Sequence, residues 1–175
     1  MNKNFLITEN SKLVRLRAAN YCDIGLLREW KNSNKKSFFY QQDISMVQQS
    51  EWFLAYKQRE NDYMFIVEEI IDDRYIPIGC MGFRLLDNYI DLYNIIRGTK
   101  SNNGVSMHEA MYIMLNFICK EWDTSIKCDV LKDNPAVNWY LKCGFDILEN
   151  KDYLVMTINK ENIIKLDIEI YEESI

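Results

Sequence analysis

The stretch KDNPAVNWYLKCGF, residues 132–145, holds one of the chain's two prolines and one of its six glycines. Pro135 suits the first turn of a helix, where its missing N–H is one the helix does not use. Gly144 suits the stop, where a left-handed residue closes the last turn. Asn134 lies just past the strand-like run IKCDVL (126–131), and Tyr140 falls inside the short helix. Two readings fit. In one, the helix is capped and packed by Ala136, Val137 and Leu141, with Tyr140 a core aromatic. In the other, the Asn134 amide and the Tyr140 hydroxyl face a site.

Working outward, alternation predicts strands at LVRLR (13–17), DYMFIVEEI, RYIPIGCMGFRLL, NYIDLYNIIR (88–97), FDILEN and YLVMTI. IDDR makes the turn of a hairpin. NYCDIGLLREWKN reads as a helix with Ile24, Leu27 and Trp30 on one face, and FFYQQD (38–43) as a loop. Ser45 with Gln48 three residues on is a capping box opening a second helix. Met107, Met111, Met114, Leu115 and Ile118 share the face of a third, which ends near Trp122. The order β-α-α-β-β-β-α-β-α-β-β gives an α+β fold: a mixed, mostly antiparallel sheet of about seven strands with helices on its faces. The tail NIIKLDIEIYEESI alternates at Leu166, Ile168 and Ile170. It adds a last strand or pairs with a second copy in a homodimer.

The chain has 175 residues, 48% of them hydrophobic, enough for one domain with one core. The expected domain is 1–175, its core spanning 13–158 and its tail 159–175. No apolar run approaches the ~18 residues of a membrane span, and the start has no secretory core. A cytoplasmic protein is expected. The net charge is -5 and the basic residues are scattered, apart from Lys35 and Lys36, which argues against nucleic acid as a partner. Five cysteines without CxxC spacing fit neither a disulfide frame nor a zinc site, so no metal is expected. His108, the lone histidine, has no evident cysteine partner for nucleophilic catalysis.

A second stretch, GTKSNNGVSMHEAM (98–111), passes from turn formers to helix. A helix start carries unpaired N–H groups and a partial positive charge, and glycine lets backbone approach a phosphate. Gly104 and Ser106 lie where that would occur. Ordinary capping accounts for the same residues.

Taken together, the two stretches resemble the GNAT superfamily of acyl-CoA-dependent N-acyltransferases. The pattern rests on Asn134, Ala136 (one residue early), Tyr140, Gly144 and Phe145. The opening, VRLRAANYCDIGLLREWKN with SMVQQSEWF, is similar to the branch that holds ribosomal-protein N-terminal acetyltransferases and nucleotide-amino-sugar N-acetyltransferases. The resemblance covers roughly residues 13 to 158. It departs at the pyrophosphate loop: Ser101-Asn102-Asn103-Gly104-Val105-Ser106 lacks the superfamily's long polar side chain at its first position and has serine at its last.

The resemblance implies a GNAT fold and transfer from acetyl-CoA, or another short acyl-CoA, to a primary amine. It implies that Ile95, Ile96 and Arg97 line the pantetheine arm. Asn103, Gly104, Val105, Ser106 and Met107 would hold the pyrophosphate, Asn134 would contact CoA, and Tyr140 would protonate the departing sulfur. Asp91 is the nearest candidate base, ahead of Glu109 on the following helix; it reads equally as a solvated strand residue. Tyr93 and Asn94 beside it would shape the acceptor pocket. Phe38, Phe39 and Tyr40 offer stacking surfaces, and Lys35 and Lys36 a diphosphate contact, unless they form a hydrophobic staple beside a solvated basic pair. Aromatics with cations suit an amino sugar linked to a nucleotide, as in surface-polysaccharide synthesis. Protein N-termini or lysines, an antibiotic, and a non-catalytic acyl-CoA-binding role are the alternatives.

Overall fold

The computed structural model describes residues 5–100 and 104–172. In chain order the elements are β1 (Phe5–Glu9), β2 (Val14–Ala18), α1 (Ile24–Ser33), α2 (Met46–Gln58), β3 (Asp62–Ile71), β4 (Arg74–Leu85), β5 (Tyr89–Arg97), α3 (Ser106–Glu121), β6 (Ser125–Val130), α4 (Val137–Lys142), β7 (Phe145–Asn150), β8 (Leu154–Ile158) and β9 (Ile168–Glu172). The strands form one sheet in the order β7-β8-β6-β5-β4-β3-β2-β1-β9. Neighbours run antiparallel except β5 and β6, which run parallel.

The sheet has nine strands, not about seven. The two additional ones are β1 and β9, which pair with each other from Phe5↔Glu172 to Glu9↔Ile168. Both lie outside the span 13–158. β1 is five residues long with a broken alternation, FLITE, too short a signal to read alone. It becomes a strand because β2 and β9 flank it and satisfy its backbone.

Successive residues of β3 feed two cores. Tyr63, Phe65 and Val67 join the cluster under α3, with Met111, Met114 and Phe117. Met64 and Ile66 join the cluster under α1 and α2, with Leu27, Trp30, Phe53 and Tyr56. Strand residues alternate faces, so the helices cover both sides of the sheet. This explains why DYMFIVEEII is apolar at nearly every position rather than at every second one. Burying one such side chain contributes about 1.5–3 kcal/mol.

The Ser45–Gln48 capping box forms as expected: Gln48 N–H donates to Ser45 Oγ at 3.2 Å, and Ser45 N–H to Gln48 Oε1 at 2.9 Å. Ahead of α1, Asn20 caps a single 3-10 turn. Arg17 on β2 grips Asp23 of that turn with two N–H donors at 2.9 Å each. This sets where α1 crosses the sheet.

Candidate active site

The parallel strands β5 and β6 pair only at Tyr89↔Ser125, Ile90↔Ile126 and Asp91↔Lys127. Beyond Asp91 they part. The cause lies on the other edge of β5. Its register with β4 runs Gly82↔Tyr93 and then Cys80↔Ile96, so Asn94 and Ile95 together oppose Met81. That is a β-bulge, and bulges bend the strand that carries them. Asn94 has φ 49, a left-handed conformation unusual outside glycine. Two contacts hold it there. The Cys80 thiol donates to the Asn94 carbonyl at 3.3 Å, and the Lys31 ammonium donates to Asn94 Oδ1 at 2.5 Å.

The parting opens a cleft of about 700 Å³. It is walled by β5 from Asp91 to Arg97, by Gly104, Met107 and His108 at the start of α3, by Phe38, Phe39 and Tyr40 ahead of α2, and by Asn134 and Tyr140. Twelve of the expected site residues therefore meet in one place: Phe38, Phe39, Tyr40, Asp91, Tyr93, Ile95, Ile96, Arg97, Gly104, Met107, Asn134 and Tyr140. Asn103 lies outside the described residues.

Val105 and Ser106 do not line the cleft. Val105 sits at the helix N-cap, where its carbonyl accepts from His108 and Glu109 N–H. Ser106 is fully buried and its hydroxyl donates to Glu69 Oε1 at 2.7 Å. The serine that ends the loop thus packs its side chain inward on a buried carboxylate. Gly104 has φ +74, and its position supports the tight approach to the helix start.

In the stretch 132–145 the stop forms as expected, but Pro135, expected in the first turn of the helix, lies in the turn ahead of the N-cap Ala136. Asn134 Oδ1 accepts from Ala136 N–H at 2.8 Å, opening the turn. Gly144, at φ +94, donates to the Leu141 carbonyl and closes α4. Tyr140 is 7% exposed, packed edge-on against Trp139 and Phe145. So it is a core aromatic and a cleft residue at once. Burial pushes its phenol well above its ordinary pKa, with the Cys128 and Cys143 thiols and Asp91 adding to the effect. Asn134 also makes a long-range contact: its Nδ2 donates to the Ser37 carbonyl at 3.1 Å, tying α4's entry to the loop between α1 and α2.

Asp91 is half-buried. Burial raises its carboxyl to about 6, helped by Asp129 and opposed by Arg84. Tyr93 lines the cleft with its ring, but its hydroxyl donates to Asp62 Oδ1, and the Arg84 guanidinium lies 4.0 Å over that ring. Asp62 is fully buried and also accepts from Arg59 at 2.8 Å. Tyr93 therefore anchors the sheet below α2 rather than offering its hydroxyl to a ligand. Phe38 lies under the Lys31 ammonium, 3.1 Å from its ring centre. Phe39 meets Tyr153 edge-on, and Phe39 and Tyr40 remain exposed. Lys35 pairs with Asp43 at 2.8 Å.

Of the cleft residues that the sequence reading did not place in the site, three are held by specific contacts. Lys31 is one: burial lowers its ammonium to about 8. Its signal was its place four residues after Leu27, on the apolar face of α1. His108 and Trp139 are the others. The Trp139 indole N–H donates to His108 Nδ1 at 3.2 Å, and burial with nearby Lys142 lowers the imidazole pKa. The neutral ring therefore carries its proton on Nε2. Nothing in the local sequence pairs residues 108 and 139. Among the described residues no group of three or more His, Cys, Asp or Glu side chains could hold a metal, and no helix is long and apolar enough to cross a membrane.

No protein-family model matches the sequence, and no curated protein matches it. Solved structures do. FdhC, a nucleotide-linked sugar GNAT in its apo form, superposes with TM-score 0.75 at 19% identity, over 91% of this chain and 93% of that one. Spermidine N-acetyltransferase from Vibrio cholerae, in complex with CoA and spermine, gives 0.71 at 20% identity, over 88% and 99%. A probable GNAT-family acetyltransferase from Chromobacterium violaceum gives 0.72 at 12%, over 93% and 89%. The chain has the GNAT fold.

Proposed function

We propose that this protein is a GNAT-superfamily enzyme that transfers an acyl group from acyl-CoA to a primary amine. The observation that carries the reading is the parting of β5 and β6 beyond Asp91–Lys127, which brings Asp91, Tyr140 and the start of α3 to one cleft. The positive end of the 16-residue helix α3, from Gly104 to Met107, faces the CoA diphosphate. The bulged strand at Ile95, Ile96 and Arg97 runs along the pantetheine arm.

The reaction is direct attack in a ternary complex. The amine nitrogen bonds to the thioester carbon, and the carbon–sulfur bond breaks. Sulfur leaves with the electron pair and takes the Tyr140 proton; burial keeps that phenol protonated until then. The proton shed by nitrogen goes to Asp91, directly or through water. A carboxyl at about 6 is ionised at neutral pH yet is a better base than an ordinary aspartate.

For the acceptor we favour an amine on a nucleotide-linked deoxysugar. Phe39 and Tyr40 are exposed at the cleft, where a base or sugar can stack, and Lys31, Arg97 and Lys100 line it with positive charge. Likeness to FdhC supports the same reading. A polyamine is the second reading, favoured by Asp91 and Asp129 on the cleft wall and by likeness to the spermidine enzyme.

Thiol release from acetyl-CoA, butyryl-CoA and hexanoyl-CoA, measured with nucleotide-amino sugars, spermidine and an amino-terminal peptide, separates them. Turnover with the nucleotide-amino sugars alone is expected. Turnover with spermidine alone selects the second reading, and peptide turnover alone selects a protein-modifying enzyme. Tight CoA binding without turnover on any amine would leave a non-catalytic acyl-CoA-binding domain.

A further inference from the structure

A second cavity, of about 310 Å³, lies between α1, α2 and the bulged strand. It shares Lys31, Tyr40, Asn94 and Ile96 with the main cleft, so the two meet at the bulge. We propose that this side cavity seats the acyl chain of the donor, and that the preferred co-substrate is an acyl-CoA with a chain of several carbons rather than acetyl-CoA. This rests on the reading of the main cleft as a CoA site.

Three observations carry it. The first is position. If the pantetheine arm follows β5, the thioester arrives at the bulge, and the acyl chain continues past Asn94 and Ile96 into the side cavity. The second is size. An apolar cavity of about 150 Å³ already takes up benzene; one of about 310 Å³ would be left mostly unfilled by a methyl group. The third is chemistry. Leu27, Ile44, Trp52, Met64 and Cys80 make most of its wall, the Gln48, Gln49 and Asn94 amides complete it, and no carboxylate lines it. Trp52 is held rigid by stacking on Tyr56, with ring centres 5.4 Å apart and planes 9° from parallel. The one charged side chain on its wall is the Lys31 ammonium, which repels a second cation. An amine acceptor, cationic before reaction, therefore finds no counter-charge here, whereas the main cleft offers Asp91 and Asp129. A hydrocarbon chain loses nothing there and gains by leaving water.

The test is calorimetric binding of CoA, acetyl-CoA, butyryl-CoA and hexanoyl-CoA to the full chain without acceptor. Each methylene buried is worth about fourfold in affinity. Hexanoyl-CoA is expected to bind at least tenfold tighter than acetyl-CoA. Ile44→Trp, which fills the cavity from a loop, is expected to cut that ratio to threefold or less. Equal or weaker binding of the longer chains, with CoA itself binding, overturns the acyl-chain proposal and leaves the CoA reading standing. Ile44→Trp reducing all four affinities alike also overturns it. Failure of CoA to bind removes both. The chain-length series needs no variant, so it decides the matter even if Ile44→Trp does not fold.

Discussion

The Lys31 ammonium reaches from α1 across to Asn94 on β5, donating to its side-chain oxygen at 2.5 Å while lying over the Phe38 ring. One half-buried cation thus ties the first helix and the loop after it to the bulge that opens the cleft.

That arrangement costs stability. Burial lowers the Lys31 pKa to about 8, so the folded state sheds this proton at lower pH than the unfolded chain does. Between about 8 and the ordinary lysine value the unfolded chain binds more protons, and stability rises with pH through that window. Lys31→Met removes the titration. Thermal unfolding is expected to show the variant at least as stable as the wild type at pH 7, with the wild type gaining on it toward pH 10. Acyl transfer is expected to fall about tenfold as the bulge loosens, in line with the general conflict between stability and site function.

Asp91 predicts an acidic limb in activity. As base it works ionised, so kcat/KM is expected to fall as pH drops through about 6 and to level above it. Asp91→Asn should abolish the limb and lower kcat by about 10²–10⁴. A pH–rate profile of the two proteins checks this.

Tyr140→Phe separates proton donation from binding. The ring keeps its contacts with Trp139 and Phe145, so CoA affinity should change less than threefold. Turnover should fall about 10²-fold or more. Equal, small changes in both remove the donor role.

Ser106→Ala tests the inward-facing serine. It takes one hydroxyl donor from the buried Glu69 carboxylate. A cost of about 1–3 kcal/mol in unfolding free energy is expected, measured by urea denaturation. CoA affinity should stay within threefold, because the serine side chain lies away from the cleft.

How much of this was legible beforehand depended on the range of the signal. Alternation and capping mark the central strands and the helices, because those patterns are local: the Ser45–Gln48 box spans four residues and forms as expected. β1 was missed because five residues carry little pattern, and its reason to be a strand is β9, which pairs with it from the far end of the chain. In the site, residue types and spacing pointed to Asp91, Tyr140 and the start of α3. They could not say which polar atoms were already engaged. The Tyr93 hydroxyl is held by Asp62, 31 positions away, and the Asn134 amide by Ser37, 97 positions away. Lys31 carries little local signal because a lysine in a helix usually keeps its ammonium in water, and only the packing of α1 on the bulge turns this one to Asn94.

The most direct test is a crystal structure of the protein grown with CoA. The account predicts the diphosphate against the backbone from Gly104 to Met107, the pantetheine arm along Ile95–Arg97, and the sulfur within hydrogen-bond reach of the Tyr140 hydroxyl. CoA bound elsewhere, or the space between β5 and β6 filled by the protein's own side chains, would contradict it.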